Sequence, residues 1–148
     1  MSVVKRSIVI NTPPNVLFGV ITDYEQYPQF LKEVERIEVL KQTPSSTRVR
    51  YTVNLIKKVQ YTIDLVSVEN ESVSWSLVES GIMKINSGGW ELKDLGDGTT
   101  EATYSIEVVP KGLLVPKRIL HMLTDKSLPS TMSAFKNRAE SLNSNGAN

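Results

Sequence analysis

Acid–base chemistry in this chain would have to run through very few groups. The 148 residues include one histidine, His121, and no cysteine. That removes a thiol nucleophile, a disulfide frame and a zinc ribbon. A single histidine without cysteine makes a catalytic triad of either usual sort hard to build, and no metal-ligand constellation is visible. His121 lies in a helical stretch and reads either as a partly exposed helix residue or as a proton shuttle facing an interior space. The strand carboxylates Asp64, Glu69, Glu101 and Glu107 fall mostly at outward positions, and Asp94 and Asp97 sit at a turn. No carboxylate pair converges on the interior by strand parity. The glycines of NSGGWELKDLGDG do not lead a strand into a helix, so they form no phosphate loop. Gly88 and Gly89 read instead as a bulge or a close backbone approach. No catalytic residue, metal or cofactor is assigned.

The residues that remain are aromatic, and the chemistry they suit is binding. In ITDYEQYPQFLKEV, Tyr24, Tyr27 and Phe30 recur at intervals of three, with Pro28 beside the second tyrosine. Tyr51, Tyr61, Trp75, Trp90 and Tyr104 fall at inward positions of predicted strands, and Met132 and Phe135 lie on one stripe of a predicted helix. Tyrosine and tryptophan carry a polar handle that wants a partner when buried. A dry core favours leucine, isoleucine, valine and phenylalanine instead. This set is therefore read as the lining of a pocket, since pockets are mostly apolar and aromatic with few polar groups. The competing reading is a solid core whose tyrosine hydroxyls reach water. Tyr24, Tyr27 and Phe30 either seal one end of that core or seal it and touch a ligand.

The elements that must position these residues follow from periodicity. Residues 3–11 are rich in β-branched types and read as a strand. Thr12 is expected to cap a helix beginning at Pro13, with Val16, Leu17, Val20 and Ile21 at helical spacing. Asp23 is expected to cap a second short helix with Gln26 as its box partner, and Pro28 to end or bend it. From residue 34 the period becomes two, and six consecutive strands follow. GDG at 96–98 marks a tight hairpin. A helical stripe then begins at Ile119, Leu120 and Leu123 and continues through Leu128, Met132, Phe135, Ala139 and Leu142, with Pro129 expected to kink or break it at 126–129. The economical packing is an α+β helix-grip arrangement. A seven-stranded curved antiparallel sheet wraps a long C-terminal helix, and two short helices after strand 1 close an end.

Bulk composition sets outer bounds. The length suits one domain over residues 1–148, with an ordered core of about 3–142. Forty per cent hydrophobic and 22% charged residues are ordinary for a globular chain, and a formal net charge of +1 gives no electrostatic case for DNA or an anionic membrane. The N-terminus lacks a signal-peptide pattern, and no apolar run approaches the ~20 residues that span a bilayer. A cytoplasmic location is expected. In KGLLVPKR, Leu113, Leu114 and Val115 are bracketed by basic residues. They either pack under the helix start or make a transient membrane contact.

Three segments carry a resemblance. VITDYEQYPQFLKEVERIEVL (20–40) resembles the D-Y-x-x-Y-P-x-F segment of the coenzyme Q-binding and polyketide cyclase/dehydrase branch of the START-like helix-grip superfamily (SRPBCC). SGIMKINSGGWELKDLGDG (80–98) resembles its glycine-led strand pair, and MSAFKNRAESL (132–142) its C-terminal A-F-x-x-R-A helix. Pro129 departs from the usual continuous helix. The resemblance implies a cavity for lipids, quinones or polyketides, and no single reaction. The favoured expectation is a carrier or chaperone of a hydrophobic small molecule of the quinone or isoprenoid class. The alternatives are a polyketide cyclase or dehydratase, and a ribosome-associated, toxin-like module. Near-neutral charge counts against the last, because RNA binding normally wants a basic patch.

Overall fold

A computed structural model describes residues 3–54, 58–112, 117 and 128–146. Its first strand, β1 (Val3–Ile10), leads into α1 (Pro14–Thr22) and a short 3-10 helix (Tyr24–Gln29). Six strands follow: β2 (Val34–Gln42), β3 (Ser46–Asn54), β4 (Lys58–Val68), β5 (Ser72–Ser80), β6 (Met83–Asp94) and β7 (Thr100–Pro110). The helix α2 (Leu128–Gly146) comes last. The sheet runs β1-β7-β6-β5-β4-β3-β2 with every neighbouring pair antiparallel. The expected helix-grip architecture is thus observed.

Period two in the sequence becomes one dry face. Val49, Tyr51 and Val53 on β3 and Val59, Ile63 and Leu65 on β4 are buried, as are Val73, Trp90, Ala102 and Ile106 on the next three strands. α2 lays Leu128, Met132, Phe135 and Ala139 on that face. Leu142, expected to continue the stripe, is 44% exposed, so the packed part of the stripe ends one turn earlier. Pro129 is the second residue of α2 as described, and part of the 126–129 stretch where a kink or break is expected lies outside the described residues. The upstream part of the expected helix, including His121, lies outside the described residues, as does the 113–115 segment.

Both expected N-terminal caps are absent. α1 begins at Pro14, one residue later than expected, with extended Pro13 at its flank and no side-chain cap. Thr12 is buried and tied to the start of β7 instead. Its carbonyl accepts a 2.8 Å hydrogen bond from the Thr100 hydroxyl, and its own buried hydroxyl has no partner among the described residues. Asp23 likewise gives no side-chain cap to the second helix, where its backbone carbonyl accepts the Gln26 N–H at 3.1 Å. Pro28 lies within that helix, one residue before its last, Gln29.

Among the described residues no helix is long and apolar enough to cross a membrane. β1 and β2 are the edge strands of the sheet, and β2 carries two register shifts, at Val34/Arg36 and Val39/Lys41. Such irregularities twist an edge away from further strand pairing.

Candidate functional site

The interval of three in the opening aromatic segment is the period of a 3-10 helix. Three residues per turn eclipse positions i and i+3, so Tyr24, Tyr27 and Phe30 share one face. Their rings meet edge to face, with centroids 5.8 Å apart at each step. Pro28 has no N–H to give, which disfavours extension into an ordinary α-helix. The helix closes with Phe30 and Leu31 N–H groups both on the Tyr27 carbonyl, at 3.1 and 2.8 Å. This short element places Tyr27 at the end of the grip, where its ring touches Tyr51 and Phe135 at 6.2 and 5.3 Å.

Behind Tyr27 the sheet and α2 border a partly open cavity of about 120 Å³. Tyr27, Tyr51, Tyr61, Trp75, Trp90, Tyr104 and Phe135 all line it, so seven of the ten residues expected at a site share one space. The other three do not reach it. Tyr24 and Met132 are buried in its surrounding wall, and Phe30 is half-buried beneath the Arg138 guanidinium, 5.5 Å from the ring centroid. Only the middle ring of the 3-10 face is aimed at the centre of the grip.

Aromatic contacts continue around the cavity. Tyr51 and Tyr61 are directly opposite one another on β3 and β4, and their rings stack at 5.2 Å and 11°. Trp90 meets Phe135 at 5.1 Å and Tyr104 at 4.9 Å, while Tyr104 meets Trp75 at 5.4 Å. Edge-to-face and offset pairs of this kind contribute about 0.5–1.5 kcal/mol each beyond area burial.

Burial shifts the tyrosines in one direction. It pushes Tyr24 up to about 12 and holds Tyr27, Tyr51, Tyr61 and Tyr104 well above the usual phenol range. The negative charge of Glu33 adds to this at Tyr61 and Tyr104. All five stay neutral at ordinary pH, so each hydroxyl can donate and accept. Tyr27 uses its hydroxyl structurally, donating to the Ile21 carbonyl at 2.5 Å.

Three polar lining residues escaped the sequence reading: Glu33, Asn86 and Thr131. Asn86 was legible in principle, because it shares strand parity with Trp90 across Gly88. Its side-chain carbonyl accepts the Trp75 indole N–H at 3.1 Å and its amide contacts the Met83 sulfur at 3.7 Å. Thr131 sits one turn before Phe135 on the stripe of α2. Glu33 precedes β2, where no strand period yet applies, so sequence spacing could not have oriented it.

Gly88 serves close approach rather than a bulge. A Cβ there would lie 2.1 Å from the Ser105 carbonyl oxygen and 2.9 Å from the Trp75 ring. The register through Gly88 and Gly89 is regular, and the β6 irregularity falls between Met83 and Ile85. Among the described residues no group of three or more His, Asp or Glu could hold a metal ion.

Comparison with known proteins agrees with this geometry. The profile of a family described as polyketide cyclase / dehydrase and lipid transport matches residues 10–136. The ribosome association toxin RatA of Pseudomonas aeruginosa is 29% identical over 140 residues, covering 94% of this chain and 96% of RatA. The ZhuI aromatase/cyclase from Streptomyces sp. R1128 superposes with a TM-score of 0.85 at 18% identity, covering 94% of this chain and 93% of that one. A START superfamily protein from Mycobacterium smegmatis gives 0.81 at 20% identity, with 95% and 98% covered. Human STARD10 gives 0.73 at 15% identity, and this chain covers 62% of its length. At these identities the structures establish a shared fold.

Proposed function

The chain belongs to the polyketide cyclase / dehydrase and lipid transport family, and from that premise we propose that it holds a hydrophobic small molecule in its aromatic cavity as a carrier or chaperone. The observation that carries this reading is the partly open space of about 120 Å³ lined by tyrosine, tryptophan and phenylalanine among aliphatic residues. A ligand there would exchange water for apolar and π surface, and neutral tyrosine hydroxyls would orient its polar atoms. The residues proposed to contact it are Tyr27, Tyr51, Tyr61, Trp75, Trp90, Tyr104 and Phe135, with Tyr24, Phe30 and Met132 supporting them from the wall.

The favoured cargo is a quinone or other isoprenoid lipid, with its ring in the cavity. That class rests on the resemblance of residues 20–40 to the coenzyme Q-binding branch, and a cytoplasmic site of action goes with it. A cyclase or dehydratase would need acid–base groups at the ligand, and one carboxylate, Glu33, is present among the described lining residues. The carrier reading therefore stands ahead of the enzyme.

The similarity to RatA favours a second reading, association with the ribosome. A formal net charge of +1 supplies no general attraction to RNA, so such binding would depend on a local surface.

The deciding experiment is extraction of the protein purified from its own host, followed by mass spectrometry against a mock purification. A stoichiometric quinone or lipid supports the carrier and names its cargo. A polyketide-like intermediate or product moves the assignment to an enzyme. An empty extract, with the protein co-sedimenting with ribosomes in a salt-sensitive way, moves it to the second reading.

A further inference from the structure

Glu33 supplies the cavity's one carboxylate among the described residues. The backbone pins it in place, since its carbonyl accepts the Asn54 N–H at 2.8 Å just before β2 begins. Its side chain is half-buried, and no described residue donates a hydrogen bond to the carboxylate. Tyr61 and Tyr104 line the same space, and neither hydroxyl is paired with a described residue. The cavity therefore holds an acceptor-only group together with hydroxyls that can serve in either sense, those of Tyr61 and Tyr104 among them.

The volume limits what can sit there. About 120 Å³ is close to the roughly 150 Å³ of an engineered apolar cavity that takes up benzene. One six-membered ring fits, with its substituents directed at the lining.

We propose that Glu33 makes this cavity selective for a ring that bears a hydroxyl, of the phenol or hydroquinone class, over a ring of the same size that offers only acceptors or nothing polar. This rests on the reading of the cavity as the ligand site. A ring hydroxyl donates to the Glu33 carboxylate, a charge-assisted bond that is stronger than a neutral one. Tyr61 or Tyr104 donates in turn to the ring oxygen. An acceptor-only ring, such as a quinone carbonyl turned towards Glu33, takes water from the carboxylate and returns no proton to it. In a quinone–hydroquinone pair the reduced member is then the preferred occupant.

The test compares phenol with its near-isosteres toluene and fluorobenzene, by NMR titration of the full-length protein and of Glu33→Gln. The expected result is that the wild-type affinity ratio of phenol to toluene falls by about tenfold or more in Glu33→Gln, while toluene affinity is retained or rises. If Glu33→Gln does not fold, Glu33→Asp replaces it, because a carboxylate withdrawn by one methylene should lose the same preference. Toluene binding with an unchanged ratio overturns the role of Glu33 and leaves the cavity reading intact. Failure of all three rings to bind the wild type overturns both.

Discussion

The Tyr27 hydroxyl donates to the Ile21 carbonyl at 2.5 Å, joining the 3-10 helix to the end of α1. That carbonyl lies in the last turn of α1, where no later N–H of the helix can reach it. One residue thus closes a helix end, seats the aromatic plug and presents a ring to the cavity.

Tyr27→Phe should leave the Ile21 carbonyl short of a donor and cost about 1–3 kcal/mol of stability. Tyr27→Ala should cost more, about 3–5 kcal/mol, and should also weaken ligand binding per folded molecule. Urea unfolding of both variants, with binding normalised to the folded fraction, separates the two effects. Unchanged affinity per folded Tyr27→Ala molecule would mean that the residue is a plug and nothing more.

Gly88→Ala places a Cβ against the Ser105 carbonyl and the Trp75 ring, and strands must shift to admit it. We expect a loss of about 2 kcal/mol or more, with a change in tryptophan fluorescence. Gly19→Ala is the contrast. It lies within α1 and nothing stands within 4 Å of its Cβ position, so it should stabilise by about 0.5–1 kcal/mol. Equal urea midpoints for the two variants would contradict the close-approach argument.

Glu140 ties α2 to the end of β1. Its carboxylate accepts the Lys136 ammonium at 2.5 Å and the Asn11 N–H at 2.8 Å, while Lys136 also donates to the Val9 carbonyl at 3.2 Å. Burial pushes the Glu140 carboxyl up, but these hydrogen bonds outweigh it and hold the group below its ordinary range. A depressed folded value means the contribution is present above the unfolded carboxylate range and is lost as pH falls through the folded value. Glu140→Gln should therefore flatten the acid limb of the stability curve by up to about 1 kcal/mol between pH 7 and pH 3. Parallel acid limbs for wild type and variant, followed by urea midpoint, would rule out this tie.

All five tyrosines are held above the usual phenol range. The folded protein should show almost no phenolate absorbance at pH 10.5, where a free phenol is largely ionised. Raised values also mean that stability is full below pH 10 and falls as pH rises beyond it, since the unfolded chain releases its protons first. Phenolate should appear together with loss of the far-ultraviolet signal. A smooth titration centred near pH 10 in a chain that stays folded would show that the rings are wet.

The alternation of apolar and polar residues along β3 to β7 was enough to predict an antiparallel sheet with one dry face, because side-chain direction in a strand has period two regardless of context. The stripe Leu128, Met132, Phe135, Ala139 predicted the helix that covers it for the same kind of reason. Five cavity-lining aromatics, Tyr51, Tyr61, Trp75, Trp90 and Tyr104, were legible from strand parity and Phe135 from the helical stripe, while Tyr27 stood out by its interval of three from Tyr24 and Phe30. Local hydrogen bonding was not legible. Thr12 and Asp23 have the right side chains for caps, yet Thr12 is held by Thr100, 88 residues away, and Asp23 leaves capping to its backbone. Glu33 stands before the strand period begins, so its turn into the cavity depended on where β2 pairs with β3. The size of the cavity, its end at Tyr27 rather than Tyr24, and the exposure of Leu142 depended likewise on how deep α2 sits against the sheet. Periodicity is a property of the chain alone, whereas depth and partner choice arise only when distant segments compete for the same space.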